Sequence, residues 1–146
     1  PVPPPPPAPA PLSANWEDWP ATPGDWVIKQ DEKGSVALFG MPGTDAQFLI
    51  RCISATKRIY LSRAGSLPEG ASANMTIRAS DAMKAYRVVS NGDATPYVSA
   101  ETSATDSQLD AIAFSRGRFL VSIPGTRDLV IPSWPEFSRV VEDCRA

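Results

Sequence analysis

The sequence predicts a mainly β domain, an antiparallel β-sandwich with two short helices, the second C-terminal and tethered by a disulfide. Three observations carry this. From Trp26 onward apolar and polar residues alternate in short runs, the period of a half-buried strand. Gly, Pro, Asn and Asp punctuate those runs at short intervals, as hairpins require. The last run, Phe137 to Cys144, changes to helical spacing and ends in a cysteine.

Taken in order, residues 1–14 read as a proline-rich tether, since PVPPPPPAPAP is mostly proline and offers few amide donors to a helix or sheet. At about 3.1 Å per residue its first eleven residues extend on the order of 30 Å. Such a stretch serves as a spacer or as the ligand of a proline-recognising groove. Residues 15–25 read as a Trp-rich strap, with Trp16, Trp19 and Trp26 close together in NWEDWPATPGDW. Their indoles either cover the edge of a core or present stacking surfaces to sugars or partners. Residues 26–146 form the β-sandwich domain.

Within that domain, Trp26–Asp31 and Ser35–Gly40 read as a hairpin around Asp31-Glu-Lys-Gly34. Ala46–Ile53 and Lys57–Ala64 form a second, joined by Ser54-Ala-Thr56. Asn74–Ser80 alternates again, Ala82–Val89 reads as a helical turn or, near Tyr86–Val89, a strand, and Pro96–Thr102 follows the Asn91-Gly92 turn signal. Asp106 is placed to cap a short helix through Phe114, with Leu109, Ile112 and Ala113 on one face. Arg118–Ile123 and Asp128–Ile131 flank the Pro124-Gly-Thr126 turn. Ser133-Trp-Pro-Glu136 has the capping-box spacing, with Pro135 in the first turn. Behind it, Phe137, Val140, Val141 and Cys144 fall on one helical stripe, so Cys144 faces inward.

Composition narrows the function classes. The chain has 146 residues, a formal net charge of −2 and 42% hydrophobic residues. A balance this close to neutral gives no concentrated basic face for nucleic acid. No apolar run approaches the roughly 18 residues that span a bilayer. A start at Pro1 rather than Met is read as a processed or trimmed chain. Any attachment to a membrane is expected to be indirect, through the tether. Cys52 and Cys144 are too far apart in sequence for a zinc or redox motif. An even cysteine count in an exported protein suggests one bridge; two buried free thiols are the alternative. A bridge would clamp the terminal helix onto the strand carrying Phe48, Ile50 and Cys52. Closing so long a loop is worth about 4 to 5 kcal/mol in the chain-entropy treatment.

The succession Phe48-Leu-Ile-Arg-Cys52, Arg58-Ile-Tyr-Leu61, an Asn-Met-Thr-Ile-Arg strand ending at Arg78, a short helix, a hairpin and a terminal helix with Cys144 in its last turn is a recognisable layout. It resembles small exported bacterial proteins of uncharacterised function, including type VI secretion-associated and invasion-associated locus B-like families. The resemblance covers about residues 26–145. It implies a β-sandwich with Cys52 and Cys144 bridged, and carries over no catalytic residue.

The search for chemistry yields little. The chain has no histidine, which removes Ser-His-Asp and Cys-His constellations and the usual zinc and copper sites. No phosphate-binding glycine motif is present. Ser54-Ala-Thr-Lys57 has the S-x-x-K spacing of penicillin-binding enzymes but lies across a predicted turn and lacks the companion motifs. Acidic pairs such as Asp31/Glu32 and Glu142/Asp143 fall where solvated charges are expected. Asn74-Met-Thr76 is a formal glycosylation sequon, with meaning only in a eukaryotic source. No metal or cofactor is expected. Arg51, Lys57, Arg58 and Arg63 cluster on the second hairpin, with Arg116, Arg118 and Arg127 on the late strands. These either meet an anionic partner or keep a half-exposed sheet soluble.

The expected function is therefore a non-enzymatic periplasmic or envelope module that binds a protein of the envelope. The candidate surface is Trp16, Trp19 and Trp26 with Arg51, Lys57, Arg58 and Arg63. The alternative is a glycan- or small-molecule-binding domain using exposed indoles such as Trp16, Trp19 or Trp134, and a histidine-free hydrolase is the remaining option. Ligand identity, strand order and oligomeric state are open at this level.

Overall fold

The computed structural model describes residues 15–92 and 94–146, so the proline-rich tether assigned to residues 1–14 lies outside the described residues. The described chain is mainly antiparallel β. Its strands are β1 (Asp25–Asp31), β2 (Gly34–Gly40), β3 (Phe48–Ile53), β4 (Arg58–Ala64), β5 (Ser72–Arg78), β6 (Met83–Ser90), β7 (Tyr97–Ser103), β8 (Arg118–Ser122) and β9 (Leu129–Pro132). Two helices, α1 (Ser107–Ala113) and α2 (Pro135–Arg145), complete it, after a 3-10 turn at Trp16–Asp18. Of the segment Ala82–Val89, ambiguous in sequence, all but Ala82 belongs to β6.

All nine strands form one sheet in the order β1-β2-β3-β4-β7-β6-β5-β8-β9. Two ladders are short: β6 meets β7 only at Val89↔Ser99 and Ser90↔Val98, and β5 meets β8 only from Thr76 to Arg78. Short ladders let neighbouring strands diverge, so the sheet curls over and its two halves pack face to face around one core, as in a sandwich. Phe48 on β3 thereby meets Phe119 on β8 at 5.8 Å between ring centroids.

Period-two alternation builds the core. Phe48, Ile50 and Cys52 of β3 point inward, as do Ile59 and Leu61 of β4, Met75 and Ile77 of β5, and Phe119 and Val121 of β8. α2 lays its stripe of Phe137, Val140, Val141 and Cys144 over the inner side of β1–β4. Phe137 packs at 6.2 Å from Trp26 and 5.7 Å from Phe119, filling the space between the sheet's two ends. The disulfide joins Cys52 of β3 to Cys144 of α2, with Cα atoms 5.5 Å apart. The pairing that the resemblance implied is present, and it fixes α2 in the position its apolar stripe selects.

Two local expectations need correction. Ser133 and Glu136 do not form a capping box: Trp134 is the N-cap of α2, without a side-chain cap, and the Ser133 hydroxyl is buried with no hydrogen-bond partner. Proline at 135 starts the helix one residue later than the motif needs, which leaves Ser133 a residue too early to reach the third amide. Arg63 does not join the surface basic cluster. It falls on the inward phase of β4 with Ile59 and Leu61 and is only 6% exposed. The expectation for α1 holds: the Asp106 carboxylate accepts from the Gln108 amide, and Leu109 and Ile112 are buried.

Candidate functional site

The two ends of the sheet are treated differently, and the difference marks a candidate site. At β9 the strap covers the edge. The Thr22 amide donates to the Val130 carbonyl at 2.9 Å, and the Val130 amide donates to the Thr22 hydroxyl at 2.8 Å. Trp16 is buried with Leu120 and Val130, the outward-facing apolar residues of β8 and β9, and Trp19 packs against the same cluster. Both faces of the β8–β9 hairpin are thus shielded. At the other end, β1 takes its backbone hydrogen bonds from β2 alone among the described residues. Except for Trp26, every residue of β1 is exposed. An open edge strand is a template for pairing with another chain.

The outer face beside that edge is apolar where exposed sheet faces are usually polar. Register aligns Val27, Leu38 and Leu49 in one row across β1, β2 and β3. Val27 is 51% exposed, and Leu38 and Leu49 are half-buried. At the end of this row lies an open groove of about 280 Å³, lined by Val27, Leu38, Met41, Pro42 and Ala46. The next row, Lys29–Val36–Arg51, borders it with charge. Arg51 grips Asp31 through two hydrogen bonds of 3.1 and 2.8 Å. The guanidinium's hydrogen bonds hold the Asp31 carboxyl at about 2, so this pair stays ionised across the physiological range.

The sequence-derived surface residues scatter. Trp16 and Trp26 are buried, Trp16 between the strap and the β8–β9 hairpin and Trp26 in the core against Phe39 and Phe48, so neither indole offers a face to a ligand. Trp19 is half-buried, and Trp134 is the indole most open to solvent among the described residues, at 41%. Of the basic residues, Arg51 pairs with Asp31, Arg58 pairs with Glu101 at 2.8 Å, and Lys57 donates to the carbonyl of Ala146. Their charges are answered within the chain, which weakens the case for a bare basic face. Ser54 and Lys57 lie in the exposed β3–β4 turn, so the S-x-x-K spacing has no helix to work from.

The residues that sequence reasoning passed over are Val27, Leu38, Leu49 and Met41. A signal was present: Val27 is apolar but out of phase with Trp26, and Leu38 out of phase with Phe39, which places both on the outer face. Among the described residues no three His, Cys, Asp or Glu side chains are grouped to hold a metal ion. Nor is any helix there long and apolar enough to cross a membrane. Compared with known proteins, the chain matches no protein family, no curated protein and no solved structure.

Proposed function

We propose that this domain is a non-enzymatic interaction module of an exported, oxidising compartment. It binds an envelope protein through the open edge of β1 and the apolar row beside it. One observation carries the reading: the sheet covers its β9 edge with the strap yet leaves the outer edge of β1 open, next to Val27, Leu38 and the Met41 groove. A partner offering an extended segment would add backbone hydrogen bonds along β1 while its alternate side chains meet Val27 and the groove. The disulfide supports the compartment, since such bridges persist where thiols are not kept reduced.

The test is affinity capture from an envelope extract with the wild-type domain and with Val27→Asp, whose exposed position leaves the core untouched. A partner enriched by the first and lost with the second supports the reading. Purified, that partner should slow amide hydrogen exchange in residues 25–31. A partner held equally by both proteins, or protection confined to the strap, would move the site elsewhere and overturn the proposal.

A further inference from the structure

The register of β1 with β2 runs without a bulge from Asp25↔Gly40 to Asp31↔Gly34, and β1 holds no proline. Bulges and prolines are common devices that stop one sheet edge from pairing with another. Only Glu32 and Lys33 separate Asp31 from Gly34, so these two form a hydrogen-bonded pair at the head of the hairpin. Alternation along the ladder then turns the amides and carbonyls of Val27 and Lys29 towards β2. Those of Trp26, Ile28 and Gln30 point to the open edge.

Charge is the other common guard of an edge, and here it selects a partner instead. Asp25, Val27 and Lys29 share the outer face and line the same groove. Asp31 is answered by Arg51, whereas neither Asp25 nor Lys29 forms an ion pair among the described residues. Two copies of β1 meeting antiparallel about a two-fold axis must bring outward-pointing backbone groups face to face. With the axis at Ile28, Asp25 stands against Asp31 of the second copy. With the axis at Lys29, the two Lys29 ammoniums oppose each other. With the axis at Val27, Asp25 of each copy faces Lys29 of the other. In that register Trp26 and Ile28 exchange backbone hydrogen bonds across the junction, and the two Val27 side chains form the closer, non-hydrogen-bonded kind of pair. The apolar row of Val27, Leu38 and Leu49 then continues into its own copy, and Ile28, 36% exposed, is covered as well.

We propose that a second copy of this chain occupies the β1 edge, in a two-fold dimer centred on Val27 with Asp25 paired to Lys29 in both directions. The inference rests on the reading of β1 as the binding edge and makes the chain itself the protein that binds there.

Sedimentation equilibrium of the full chain over a wide concentration range should show a reversible dimer. Asp25→Lys and Lys29→Asp should each weaken it about tenfold or more, because symmetry places two like-charge pairs in every dimer. The double variant should dimerise like wild type, and the two single variants, mixed, should pair with each other. A chain that stays monomeric overturns the proposal. So does a dimer indifferent to both substitutions, or one whose loss is not restored by the double variant and by mixing. Should a single variant fail to fold, wild-type amide exchange decides: slowing in residues 25–31 as concentration rises supports the dimer, and unchanged exchange there refutes it. A monomeric chain that still captures an extract protein through Val27 sinks the dimer and leaves the edge reading standing. A monomer without such capture sinks both.

Discussion

Trp26 and Pro132 join the two ends of the sheet: the indole Nε1 of Trp26 on β1 donates to the carbonyl oxygen of Pro132 on β9 at 2.8 Å. The two strands share no ladder. Besides the Phe48–Phe119 contact, this bond and the Phe137 side chain packed beside it hold the two ends together. Trp26→Phe keeps most of the apolar volume and removes the donor, and should cost about 1 to 2 kcal/mol in urea denaturation. Trp26→Ala should cost about 3 to 5 kcal/mol, because the Phe39–Phe48–Phe137 cluster loses its centre.

Reduction of Cys52–Cys144 should lower stability by about 4 to 5 kcal/mol, the loop-closure value for a separation of 92 residues. The double variant Cys52→Ala/Cys144→Ala, measured without reductant, should fall by a similar amount. The same variant should be insensitive to added dithiol, which separates the bridge from any other effect of the reagent.

Asp106 should govern part of the acid limb. Burial pushes its carboxyl up, but hydrogen bonds from Tyr86, the Gln108 amide, Lys84 and Thr102 outweigh this and hold it below the ordinary value of 3.8. A carboxyl depressed in the folded state contributes stability that is fully present above its unfolded value and is lost as pH falls through the folded one. Wild-type stability should thus be flat through neutral pH and decline below about 3.8. Asp106→Asn should lose about 2 to 3 kcal/mol at neutral pH, from the charged hydrogen bonds and the helix cap, and decline less on acidification. Asp31, held down by Arg51, titrates alike in both proteins, whereas Asp110, held down by Arg145 and pushed up by the nearby Asp106 charge, shifts with the substitution, so the difference between the two pH curves reports Asp106 together with its effect on Asp110.

Trp16→Ala should destabilise by about 3 kcal/mol or more and uncover Leu120 and Val130. Dye binding to exposed apolar surface should rise well before the main unfolding transition, reporting release of the strap. A variant that unfolds in one step with no such rise would show that the strap and the core melt together.

Local pattern made much of this architecture legible. The hairpins follow from alternation interrupted by turn residues, and the placement of Cys144 follows from the i, i+3, i+4, i+7 stripe of α2. Strand order was not legible. β4 pairs with β7 and β5 with β8 across long stretches of chain, and such pairings depend on which faces bury each other rather than on local preference. The charge of Arg63 argues for the surface, but its phase decides: counting alternate residues from Ile59 puts it inside. The indoles are grouped in sequence, yet they divide by role. Trp16 shields the outside of β8–β9 while Trp26 fills the inside, a division set by the curl of the sheet.

The position of the disulfide also sets how the domain answers a pull. β4 to α2 lie within the ring that Cys52–Cys144 closes, whereas the strap, β1, β2 and the first four residues of β3, up to Arg51, precede it. Tension applied from the N-terminal side would peel the strap from β9, then draw β1, β2 and the start of β3 off the sheet, and halt at Cys52. Beyond that residue the load passes through a covalent bond into the last turn of the chain. The mechanically extensible part of the molecule is therefore the part that carries the open edge, and everything behind it is locked at fixed contour length.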